Sequence, residues 1–201
     1  MHCLTLFPPL LSLSLFLPFF KCDELGSINH AVCDKTGTLT QNKMAVQSVQ
    51  GDEAELLLPV ALCHSLNAFD DADGSPDEVA LVRWAAQRGT SFINRGQGNS
   101  VFLSCSQWTL LAEQPFSSAA RKMTVIVRNE SNGQVWAFEK GAASTDWEAL
   151  RGLRVLQVRR ALITKTDSFD PKHVDWDGLS REMTIVGAVG MSDTLQGKKE
   201  N

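Results

Sequence analysis

An aspartate placed straight after an apolar run constrains this chain more than any other feature. Residues Ile28, Ala31, Val32 and Cys33 lead into Asp34, and Lys35, Thr36, Gly37, Thr38, Leu39 and Thr40 follow at once. The pattern predicts a buried strand giving way to a loop, which is where open α/β sheets place their ligands. A carboxylate there can attack a phosphoryl group and form an aspartyl-phosphate. The approach of two anions needs positive charge, partly from Lys35 and mostly from a divalent cation. Gly37 removes a Cβ from the path of the phosphoryl group. The plainer alternative is a strand-to-helix turn, with Asp34 as a cap and the threonines as turn residues.

Composition narrows the field. With 201 residues and 43% hydrophobic content, the chain can bury a core of one domain or slightly more. A net charge of −4 implies no nucleic-acid partner. Five scattered cysteines without a CxxC pair point to a reducing compartment and no zinc site. Residues 4 to 20 are uncharged and mostly apolar, but Pro8, Pro9 and Pro18 interrupt helix continuity. Between a remnant transmembrane helix and translated non-coding sequence, the prolines and the Leu/Ser/Phe bias favour the second.

Beyond Asp23 the chain reads as a strand with the nucleophile, a mainly antiparallel α+β insert, and a return strand. A helix is predicted within residues 52 to 66, with Pro59 as a possible kink. A second runs from Ser75 to Arg88, with Ser75 as N-cap, Pro76 at N1, Glu78 at N3 and Gly89 as the stop. Strands are expected over 90–94, 101–104, 108–112, 123–128, 135–139, 155–158 and 183–189, and a short helix over 146–150. Asn132-Gly133 marks the hairpin between the fourth and fifth strands.

The run DKTGTLT matches the phosphorylation signature of the P-type ATPases, and the chain resembles that family. The resemblance implies Asp34, Lys35 and Thr36 as catalytic residues. It implies Mg²⁺ held by the Asp34 carboxylate and the Thr36 carbonyl, with phosphate oxygens at Thr38. Four further segments resemble the phospholipid-translocating class. In SPDEVALVRWA (75–85) Glu78 would bond the adenine amine, where a capping box would instead turn it back to Ser75. In PFSSAARKM (115–123) Phe116 would stack on adenine and Ser118 approach the nucleotide. There Arg121 holds the family's lysine position and Lys122 its arginine, a swap that leaves open which of them reaches the ligand. FEKGA (138–142) would bring Lys140 and Gly141 to ATP, and GLRVL (152–156) would bring Arg154 to the phosphates. Residues 183 to 196 resemble the strand that re-enters the phosphorylation domain, with Asp193 and Gln196 at its D-x-L-Q positions.

The implied fold is α/β plus α+β: an incomplete haloacid-dehalogenase-like phosphorylation domain (23–44 and 181–201) with an inserted antiparallel nucleotide-binding domain (45–180), behind the apolar segment 1–22. The implied cofactors are ATP and Mg²⁺. The implied partners are a phospholipid and a Golgi, endosomal or plasma membrane, with this region facing the cytosol. VALVRWA resembles the branch that works without an accessory subunit, although the sequence does not decide that partner. The family's later T-G-D and G-D-G-x-N-D motifs, its actuator and its membrane helices lie outside this sequence. The expectation is therefore a fragment that binds ATP without turnover. The alternatives are a stand-alone nucleotide-binding module, a soluble phosphohydrolase or a gene remnant. The phosphohydrolase usually carries a second Asp two residues after the first, where Thr36 stands here.

Overall fold

The computed structural model describes residues 34, 35, 38–69, 74–143, 147, 150, 152–164 and 169–195. The predicted strand before Asp34, together with Thr36, Gly37 and Gln196, lies outside them, as does most of the helix expected over 146–150. The chain divides into two compact units, one comprising 1–43 with 193–201 and the other 44–192.

Eight strands form a single sheet in the order β1-β8-β7-β6-β5-β4-β3-β2. They are β1 (Thr40–Gly51), β2 (Phe92–Arg95), β3 (Ser100–Leu103), β4 (Gln107–Ser117), β5 (Lys122–Asn129), β6 (Val135–Ala142), β7 (Arg154–Ile163) and β8 (Thr184–Leu195). Each neighbouring pair from β2/β3 to β7/β8 is antiparallel. The expected antiparallel α+β arrangement is therefore present. The hairpin at Asn132-Gly133 forms as read: Asn129 N–H reaches the Gln134 carbonyl at 2.9 Å, and Gly133 takes φ +71°.

Two layers cover the sheet of the larger unit. Helices α1 (Glu53–Leu62) and α2 (Pro76–Ala86) pack on Met123, Val125, Val127, Phe138, Val158 and Met191 through Leu56, Val60, Leu81, Val82 and Ala85. Because side chains alternate along a strand, the intervening residues face the other way. There Ile126, Val135 and Ala137 meet Leu179 and Trp176 of a third helix, α3 (Trp176–Glu182).

Helix α1 begins where Asp52 caps the Ala54 N–H at 2.9 Å, and it keeps Pro59 inside. It stops at Leu62, short of the predicted end, because the next residues turn back: His64 Nε2 bonds the Ala61 carbonyl at 2.9 Å. Helix α2 starts at Ser75 as read, but the Ser75 side chain makes no capping bond. Among the described residues no helix is long and apolar enough to cross a membrane.

Candidate functional site

Consider first the smaller unit. Asp34 and Lys35 are exposed. The Lys35 carbonyl accepts from Leu39 N at 3.0 Å, from Thr40 N at 3.2 Å and from Thr40 Oγ1 at 3.3 Å, closing a turn that contains Thr38. The Thr40 hydroxyl also donates to the Asp193 carboxylate, whose other oxygen accepts Lys43 N at 2.9 Å. Asp193 therefore ties the outgoing strand start to the returning one. Among the described residues no group of three or more His, Cys, Asp or Glu side chains could hold a metal ion. Asp34 is the described member of the implied Mg²⁺ set.

In the larger unit, the expected nucleotide residues collect at one end of four strands. β4 finishes at Phe116 and Ser117, β5 begins at Lys122, β6 finishes at Lys140, Gly141 and Ala142, and β7 begins at Arg154. The register sets Ser117, Lys122, Gly141 and Gln157 side by side.

Glu78 comes to this end from α2. It is 7% exposed and meets Lys140 Nζ at 2.6 Å. Ser65 completes its surroundings, with its N–H 3.3 and 3.2 Å from the two carboxylate oxygens and its hydroxyl 2.6 Å from Oε2. The capping box is thus not formed, because burial makes the ammonium and the Ser65 donors better partners than the Ser75 backbone. Burial pushes the Glu78 carboxyl up, but Lys140 and Ser65 outweigh it and hold the group below the usual carboxylate range. Lys140 was expected at a ligand; in the structure its ammonium is on Glu78.

One residue earlier, Asp77 pairs with Arg154 at 2.9 Å. Consecutive acids at the start of α2 therefore hold cations from two strands, favourable also for the helix dipole. Sequence reasoning missed Asp77 and Ser65. Asp77 was legible as an acidic first-turn residue, while Ser65 carried no local signal.

The turn 118–121 holds Ser118 and Arg121. Arg121 N–H reaches the Ser117 carbonyl at 2.7 Å, and Arg121 takes φ +53°, a left-handed conformation unusual for a side-chain-bearing residue. Gly141 has a structural reason beside any ligand role. A Cβ there would lie 2.8 Å from Lys122 Cβ and 2.9 Å from the Arg121 carbonyl oxygen. Of the swapped basic pair, Lys122 is engaged by Glu139 at 3.4 Å and Asp177 at 3.7 Å. Phe116 is 61% exposed, the most exposed large hydrophobic side chain among the described residues. On the other face of the sheet, toward α3, a polar cavity of about 450 Å³ is lined by Arg121, Lys122, Glu139, Gln157, Arg159 and Asp177.

An exposed aromatic ring, a buried carboxylate acceptor and several cations suit the base and phosphates of a nucleotide. No protein-family model matches the chain. Individual proteins do. The phospholipid-transporting ATPase NEO1 of Saccharomyces cerevisiae is 24% identical over 87% of this chain and 23% of its own length. The phospholipid-transporting ATPase tat-1 of Caenorhabditis elegans is 31% identical over 64% of this chain and 15% of its own. A probable cation-transporting P-type ATPase of Mycoplasma genitalium is 29% identical over 85% of this chain and 20% of its own. The chain is a homologue of the P-type ATPases, a family of ATP-hydrolysing transporters. More particularly, it is related to their phospholipid-transporting class. It spans roughly a quarter or less of the length of these relatives.

Proposed function

We propose that residues 44–192 bind ATP within a phospholipid-transporting P-type ATPase, and that Asp34 accepts the γ-phosphoryl group in the intact protein. The observation that carries this reading is the buried Glu78–Lys140 pair at the strand ends that also present Phe116, Ser118, Arg121, Gly141 and Arg154. Phe116 stacks on adenine, a contact worth roughly 1–3 kcal/mol per base. Glu78 accepts from the exocyclic amine. Lys140 stays on Glu78 beside the base, and Arg121 and Arg154 face the phosphates, Arg154 leaving Asp77 to do so.

In the phosphorylation step an Asp34 carboxylate oxygen attacks the γ-phosphorus, the bond to the β–γ bridging oxygen breaks, and ADP leaves. Mg²⁺, when bound, neutralises the phosphate charge, with Asp34 and the Thr36 carbonyl as its expected protein ligands. Lys35 lowers the repulsion between the two anions. The phosphoenzyme then drives phospholipid movement toward the cytosolic leaflet of a Golgi, endosomal or plasma membrane, with this region on the cytosolic side.

On its own the chain binds ATP and does not turn over. Incubation with γ-labelled ATP tests both parts. Bound nucleotide without acid-stable label is expected, and Phe116→Ala weakens binding roughly 5- to 150-fold. Acid-stable label that disappears in Asp34→Asn would show that the chain phosphorylates itself unaided.

A further inference from the structure

The Glu78 carboxylate has two fixed bearings. Oε1 faces the Lys140 ammonium at 2.6 Å, and Oε2 faces the Ser65 hydroxyl at 2.6 Å. Ser65 is exposed while Glu78 is buried, so the hydroxyl is the solvent-side partner of the carboxylate.

The residues around Ser65 are locked in turn. His64 bonds the Ala61 carbonyl through Nε2 at 2.9 Å and accepts Leu66 N–H through Nδ1 at 3.2 Å. Its ring meets Phe92 edge-on, with centroids 4.3 Å apart. Arg95 donates to the His64 carbonyl and also bonds Glu113 at 3.1 Å. This short turn is built to hold one exposed serine against one buried carboxylate.

We propose that Ser65 is a positioning residue, aiming Glu78 so that the site prefers adenine to guanine nucleotides. The inference rests on the nucleotide reading above. An ionised carboxylate only accepts hydrogen bonds. Adenine offers it an amine, whereas guanine places a carbonyl oxygen at the same ring position and is repelled. With Ser65 truncated, Oε2 loses its short hydroxyl donor and keeps only the longer Ser65 N–H contact at 3.2 Å, so the carboxylate swings toward Lys140, away from the base.

The test is calorimetric titration of the chain with ATP and with GTP, comparing wild type, Ser65→Ala, Ser65→Cys and Ser65→Thr. Ser65→Ala is expected to raise the Kd for ATP about tenfold and that for GTP less than about twofold, a loss the size of one hydrogen bond to a charged group. Ser65→Thr keeps the hydroxyl and restores the preference. Ser65→Cys, with a weak donor, loses it as alanine does and serves if the alanine variant does not fold. An unchanged ATP-to-GTP ratio in both Ser65→Ala and Ser65→Cys overturns this inference and leaves the nucleotide reading standing. A wild-type chain that binds neither nucleotide overturns both.

Discussion

Glu78 on α2 and Lys140 on β6 stand 62 residues apart in sequence and 2.6 Å apart in space, both shielded from solvent. Two buried charges satisfy each other here, and removing either leaves the other without its partner. Glu78→Gln or Lys140→Met is expected to destabilise the larger unit by about 3–5 kcal/mol, whereas the double variant recovers much of the loss. Urea unfolding of the four proteins measures the coupling. Single variants as stable as wild type would mean that the pair is not formed in solution.

Acid should weaken the protein through His64. Burial, with Lys140 and Arg95 nearby, lowers its pKa from 6.5 to about 3. The unfolded chain then binds the proton more readily than the folded one. The stabilisation is complete above about pH 6.5 and is lost as pH falls toward 3, on the order of 5 kcal/mol in all. Glu78, also held low, adds a loss of the same sign below about pH 4. Stability measured from pH 7 to pH 4 should fall, and His64→Gln should flatten the slope between pH 6.5 and 4. An equally steep slope in that variant would contradict a buried neutral His64.

Gly141→Ala is expected to cost about 1–3 kcal/mol, because the added methyl meets Lys122 and Arg121 below van der Waals distance. Gly152, with φ +82° and open space around it, is the comparison: its alanine variant carries backbone strain without a clash. Thermal melts of both separate crowding from strain. A Gly141→Ala protein that melts as wild type would show that the turn 118–121 yields freely.

Arg154→Ala should cost only about 1 kcal/mol, since the arginine side chain is 61% exposed although that of Asp77 is 13% exposed. Under the proposed function it should weaken ATP several-fold and adenosine hardly at all. Equal losses for the two ligands would remove Arg154 from the phosphate end of the site.

Legibility in the sequence followed the range of the interactions. The start of α2 was plain from Ser75, Pro76 and the acidic first turn, because these signals are local. The destination of Glu78 was not, because a capping box and a ligand contact look alike until the sheet brings Lys140 beneath it. The sequence predicts a strand ending at Ala112, but β4 continues to Ser117. Irregularities between Leu110 and Ala112, and again between Gln114 and Ser117, break the alternation that marks a strand. Helix α3 escaped notice because its seven residues are too few to show a period. Its one local sign was Asp175, whose side chain caps the Gly178 N–H at 3.0 Å. The polar opening of β1, Thr40-Gln41-Asn42-Lys43, carries no apolar alternation to mark the start of a twelve-residue strand.

The most direct test of the central claim is an amide-shift map of the ¹⁵N-labelled chain titrated with ATP. Binding at the proposed site predicts that perturbations gather at Ser65, Glu78, Phe116, Ser118, Arg121, Lys140, Gly141 and Arg154. A map confined to the α3 side around Leu179 and Trp176, or no perturbation at millimolar ATP, would contradict it.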